Sequence, residues 1–179
     1  MIAYKGFDIG LRCRGYQFAP GLNITEKANC MANGFHCAEN PLDCLSYYSN
    51  MKGSEYCIVN AGGDINEDGR DTKIACTELT IIKKLTAKEL FFHGLVFMAD
   101  HPGREWSNHV KKDKANAYNG YAVVRGIDPL ACGKKGDILA FAKEDDKGNI
   151  IQLALAEVDG KDIRPGIWYG ADLTEREVV

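Results

Sequence analysis

At 179 residues, with 26% charged and 45% hydrophobic side chains and a net charge of −3, the chain has the composition of an ordinary globular domain. That balance excludes a strongly basic nucleic-acid binder and a highly acidic mimic of DNA. The longest apolar stretch, Leu90 to Ala99, is interrupted by His93 and is too short to span a bilayer, so no membrane partner is expected.

In chain order, Ile2 to Phe7 predicts a short strand, Asp8 to Arg12 a turn and Cys13 to Phe18 a second strand. Pro20-Gly21 and Asn33-Gly34 are turn signals. Asn40-Pro41-Leu42-Asp43 opens a helix: Asn40 is a good N-cap, Pro41 suits the first helical position, and Asp43 favours the positive helix end. Leu42, Leu45 and Tyr48 form its expected buried stripe. Glu55 to Asn60 reads as a strand, residues 61–70 as a polar loop, and Lys73 to Leu85 as one long, bent strand.

Thr86 to Ala99 is the strongest helix signal, with Thr86 and Glu89 spaced as a capping box and Leu90, Phe91, Val96 and Phe97 as its apolar surface. His101 to Asn119 is polar and irregular, with a short helix expected around Trp106 to Lys114. Tyr121 to Arg125 is a strand, Asp137 to Lys143 and Ile150 to Val158 form a hairpin, and Ile167-Trp168-Tyr169 is a last short strand. The expected class is α+β, a single domain over residues 1–179. Antiparallel strands stand at both ends (1–85 and 121–179), with one or two helices packed on them.

Seven cysteines, an odd number, and opening residues without an apolar signal-peptide core predict reduced thiols in a cytosolic protein. Cys30, His36, Cys37 and Cys44 lack the paired knuckles of a structural zinc site, and adjacent residues of an extended segment face opposite ways. Asp64-Ile65-Asn66-Glu67-Asp68-Gly69 matches the first half of a calcium loop, but its twelfth position is Ala75 rather than glutamate. No metal and no cofactor are expected. Nothing local pairs a cysteine with a histidine base, no phosphate loop is present, and the motifs of ADP-ribosyl transfer are missing.

Two sets of residues remain as binding candidates. The first is a basic and aromatic segment, Arg104, Trp106, His109, Lys111, Lys112, Lys114 and Tyr118, with Arg and Trp as interface anchors and lysines as phosphate contacts. The plainer reading makes it a solvated loop with Trp106 tucked into the core. The second is a pocket in the N-terminal block, with Arg14, Gln17, His36 and Glu39 as polar groups for a nucleotide or a protein side chain. The plainer reading there is that these four only pin strand to helix by hydrogen bonds.

The N-terminal block carries Lys5-Gly6-Phe7, then Cys13-Arg14-Gly15-Tyr16-Gln17, then Gly34 to Asp43 with Tyr47 and Tyr48 after it. It resembles an uncharacterised domain family of phages, prophages and gut Firmicutes and Bacteroidetes, whose signature is K-G-F, C-R-G-[FY]-Q and G-F-H-x-C-E-N-P-L-D. The similarity extends over residues 1–85 and 135–179. Relatives often place β-solenoid-like repeats between these parts, whereas this chain has a helix and a basic segment.

The chain is also similar in character to anti-CRISPR proteins that block the type II effector. What the resemblance implies is a mobile-element protein of the bacterial host cytosol, non-enzymatic, that inhibits a host RNA-guided nuclease. It would contact protein, ribonucleoprotein or DNA, with Glu144, Asp145, Asp146, Glu157, Asp159 and Asp162 facing a positively charged channel. The alternatives are a small enzyme acting on a nucleotide or protein side chain, and a phage structural or assembly module.

Overall fold

A computed structural model describes residues 1–29, 33–67 and 72–177. Among these, thirteen strands accompany one α-helix and one 3-10 helix. Strands hold 51% of the chain and helices 12%, which overturns the expected α+β class: the protein is mostly β. The difference arises where polar, glycine-containing segments that carry loop signals are held extended by pairing with an apolar neighbour. The chain divides into two units, residues 1–86 and 87–179.

In the first unit, β1 (Ile2–Asp8) is followed by a ribbon of β2 (Arg12–Cys13) and β3 (Tyr16–Gln17), then by β4 (Gly21–Ile24), β5 (Phe35–Ala38), β6 (Ser54–Glu67) and β7 (Lys73–Leu85). All pair antiparallel. β1 takes β6 on one side and meets β5 at Tyr4↔Ala38, while β7 takes both β6 and β5. The pairings β1–β6–β7–β5–β1 form a closed circuit, which leaves few free edges and gives the apolar faces a common interior. Phe7, Phe35, Cys37, Val59, Ile74, Cys76 and Leu79 fill it, and Phe18 from the ribbon joins them.

Pro20-Gly21 makes the expected turn, with a bend at Pro20 and Gly21 at φ +90°, and Gly21 then begins β4. Two expectations in this unit are corrected. The loop expected over 61–70 is strand as far as Glu67. Its glycines make a β-bulge at Gly63 (φ +67°), where a side chain would collide with Thr77. Asp64 and Asn66 of the calcium-like half-loop therefore lie on a strand, and Asp68 and Gly69 fall outside the described residues. The helix opened by Asn40 is a 3-10 helix, Pro41–Ser46, with the Asn40 side chain accepting from the Leu42 amide at 3.0 Å. Six residues are too few for α-helical bonding to become cooperative.

The second unit begins with α1 (Ala87–Asp100), which packs on β10 (Ile138–Glu144) and β11 (Ile150–Glu157). It buries Leu90, Phe91, Leu95 and Met98, whereas Val96 and Phe97 of the expected surface are only half-buried. β9 (Tyr121–Cys132) is the central strand, parallel to β10 and to β8 (Val110–Asn116), and antiparallel to β12 (Trp168–Tyr169), which pairs β13 (Glu175–Arg176). The β10–β11 hairpin forms where expected, its turn held by the Asp145 carboxylate accepting from the Lys147 and Asn149 amides at 2.9 and 2.8 Å. Residues 101–109 are irregular as expected, whereas β8 replaces the later part of that segment and no helix forms around Trp106 to Lys114. The exposed Lys-Lys-Asp-Lys of β8 carries no strand alternation, and only its pairing with β9 makes it a strand.

Candidate functional site in the first unit

Strand alternation places Ala3, Lys5 and Phe7 of β1 on one face. Ala3 and Phe7 are fully buried, and Lys5 between them is 4% exposed. Its ammonium donates to the His36 carbonyl at 2.7 Å and contacts Cys13 Sγ at 3.6 Å. It also lies 5.1 and 5.3 Å from the ring centres of Phe7 and Phe18. Among the described residues no carboxylate pairs with it. A buried cation supported only by a carbonyl, a thiol and two rings keeps a large part of its desolvation cost.

Arg14 stands beside it in the tight turn Cys13-Arg14-Gly15-Tyr16. Cys13 and Tyr16 are paired, and both central residues have positive φ, +48° at Arg14 and +82° at Gly15. That is the backbone of a type I′ hairpin turn, which favours Asn-Gly or Gly-Gly. Arginine in this left-handed conformation costs roughly 1–2 kcal/mol. Strain held by a charged, exposed side chain at the edge of a pocket points to a role for that side chain.

The pocket has a volume of about 740 Å³. The ribbon supplies Cys13, Arg14 and Tyr16; β5 supplies His36 and Cys37; the 3-10 helix and the residues after it supply Asp43, Cys44, Tyr47 and Tyr48; β1 and β7 add Lys5 and Lys73. Gly6 matters here because a methyl group at this position would collide with the Tyr48 ring. Among the lining groups three cations, Lys5, Arg14 and Lys73, face two carboxylates, Asp8 and Asp43. Asp43 is already engaged by the Thr72 hydroxyl at 2.7 Å.

Burial pushes the Cys44 thiol up to about 12, with Lys5 pulling the other way. The Cys37 thiol is raised by its hydrogen bond with Cys76 and by burial, and burial then the Cys13 contact raise the Tyr48 hydroxyl. Both effects favour the protonated thiol at Cys37 and Cys44. The arrangement suits capture of an anion, with Lys5, Arg14 and Lys73 as its cations.

Of the four pocket residues expected from the sequence, Arg14 and His36 line this cavity and Gln17 and Glu39 do not. Gln17 is used within the ribbon, accepting from Arg12 at 2.9 Å and donating to the Gly10 carbonyl at 2.7 Å. The Glu39 backbone amide joins Thr72 at 3.1 Å. Lys5 was missed as a site residue. Its signal is a lysine in the buried phase of an otherwise apolar alternation. Of the zinc-like set, Cys30 lies outside the described residues, and among the described residues no three His, Cys, Asp or Glu side chains gather as metal ligands.

The basic-aromatic segment is not one surface. Trp106 is half-buried with the Arg125 guanidinium 4.6 Å from its ring centre, and Arg104 lies 5.9 Å from the ring centre of Phe97. His109 Nδ1 is 2.7 Å from the Tyr121 hydroxyl. Lys111, Lys112 and Lys114 are exposed on β8, whose outer edge has no strand partner among the described residues. Lys111 donates to the Asn108 carbonyl at 3.0 Å and Lys114 lies 5.7 Å from the ring centre of Trp168. Successive lysines on a strand face opposite ways, and lysines on a free edge also discourage pairing with other chains. Tyr118, 78% exposed, follows the strand.

A family model described as Domain of unknown function (DUF7666) matches residues 1–93, more than half of the chain. The chain belongs to this family. The DUF7666 match takes in the whole first unit and its pocket, and ends within α1. The basic-aromatic segment and residues 135–179 lie beyond it. Comparison with curated proteins and with solved structures gave no match. No helix among the described residues is long and apolar enough to cross a membrane.

Proposed function

We propose that the first unit is a ligand-binding domain whose pocket captures a small phosphate-bearing anion. The observation that carries this reading is Lys5, a buried ammonium with no carboxylate partner among the described residues, in the wall of a cavity of about 740 Å³. A bound anion offsets the cost of burying that charge, and the guanidinium of Arg14 suits a phosphate because its donors form a planar fork.

Calorimetric titration with inorganic pyrophosphate tests the reading. The wild type is expected to bind, and Arg14→Asn to lose about tenfold or more in affinity. Asparagine favours the I′ turn, so the same variant is expected to unfold at an equal or higher temperature. Unchanged affinity in Arg14→Asn would remove Arg14 from the site, and absence of binding by the wild type would refute the reading.

A second reading has its own observation, the exposed Lys111, Lys112 and Lys114 on the free edge of β8 with Tyr118 beyond them. On this reading the second unit docks on a host RNA-guided nuclease, as protein or ribonucleoprotein, and the basic edge meets its nucleic acid. The purified chain is then expected to co-elute with a guide-loaded type II nuclease and to lower target cleavage. A chain that does neither excludes it.

A further inference from the structure

The pocket offers an aromatic wall beside its cations, and the two are joined by the same turn. Tyr16 follows Arg14 by two residues and is 45% exposed. Its ring meets Phe18 edge-on with centres 4.7 Å apart and Phe35 at a tilt with centres 5.3 Å apart, and Phe18 in turn meets Phe7 at 5.2 Å. A ring fixed from behind and open in front costs little further ordering when a planar ligand lies against it. Tyr47, 54% exposed, lines the same cavity, with Lys73 Nζ 5.6 Å from its ring centre.

An anion alone fills little of about 740 Å³, a volume in the range of sites for whole small molecules. Besides the cations, the wall carries the carboxylates Asp8 and Asp43 together with Thr25, Asn33 and His36. Asn33 and His36 bring polar groups of the kind that meet the edge of a planar heterocycle to the cavity wall. Cation, aromatic wall, polar edge and volume together describe a ligand with a phosphate at one end and a flat, hydrogen-bonding ring at the other.

Building on the anion-binding reading, we infer that the pocket's ligand is a free nucleotide, with its phosphates at Lys5 and Arg14 and its base against Tyr16. Stacking on an aromatic side chain tolerates any base, because every base has a π-face. The phosphate end supplies attraction and the ring end supplies selectivity over simple phosphates.

Parallel titrations of the wild type and Tyr16→Ala with ADP and with inorganic pyrophosphate test this. Tyr16 is partly exposed and lies outside the β circuit, and circular dichroism and a thermal scan establish that the variant is folded. The wild type is expected to bind ADP at least tenfold more tightly than pyrophosphate, and Tyr16→Ala to reduce that preference to threefold or less. Equal affinity for ADP and pyrophosphate in the wild type would overturn the nucleotide inference and leave the anion-binding reading standing. A preference for ADP that survives in Tyr16→Ala would overturn the placement of the base. Failure of both ligands to bind would overturn the two readings together.

Discussion

Arg125→Met is expected to lower the unfolding free energy by about 3–5 kcal/mol in urea denaturation at neutral pH. Arg125 is 3% exposed on β9, and its guanidinium donates to Glu144 Oε1 at 2.6 Å and to the Pro102 carbonyl at 3.2 Å while covering the Trp106 ring. One side chain thus fastens β10, the segment after α1 and the loop that carries Trp106 to the central strand. Methionine fills similar space but leaves the Glu144 carboxylate, 13% exposed, without its partner. The loss is large against a typical domain stability of roughly 5–15 kcal/mol.

Adding Glu144→Leu to Arg125→Met is expected to recover most of it, because the uncompensated charge is then gone as well. Arg125→Lys is expected to behave more like methionine than like arginine, since an ammonium cannot cover an indole ring and reach two acceptors with one planar group. A single variant within 1 kcal/mol of wild type would show that this network does not hold the second unit together.

What could be read from the sequence follows a physical division. Strands with a strong apolar phase were legible: β1 from Ala3 and Phe7, β7 from its β-branched run, and the β10–β11 hairpin from its Asp-Asp-Lys-Gly turn. α1 was legible from its apolar face. Segments whose conformation is imposed by a partner strand were not. The outer half of β6 reads Ala-Gly-Gly-Asp-Ile-Asn-Glu and carries every local sign of a loop, yet Ile65, Asn66 and Glu67 pair in register with Cys76, Ala75 and Ile74. β8 is a row of lysines that only β9 makes into a strand.

The site divides in the same way. Arg14 and His36 could be named because charge and imidazole stand out in a sequence. Lys5 is marked in the sequence only by its place in the apolar phase of β1; its burial without a counter-charge depends on three elements brought together. Trp106 stood out as an anchor, but its ring is covered by an arginine from β9, which no spacing reveals.

The pocket's claim to function rests on Lys5, and Lys5→Met separates a binding residue from a structural one. Methionine keeps the length of the buried stem and its contact with Phe7 and Phe18 and removes the charge. Relieved of the desolvation cost of an ammonium that has no carboxylate partner, the free protein is expected to gain stability, less the loss of the hydrogen bond to the His36 carbonyl. The same change is expected to weaken pyrophosphate binding by tenfold or more, because the buried donor of the site is gone. Stabilising changes that cost function are characteristic of binding sites, where stability is given up for a charged group. The most direct test is therefore one paired measurement on wild type and Lys5→Met, urea unfolding of the free protein and calorimetric titration with pyrophosphate. Opposite signs, higher stability with lower affinity, are the predicted result; a variant that is destabilised and binds pyrophosphate as well as wild type would contradict the account.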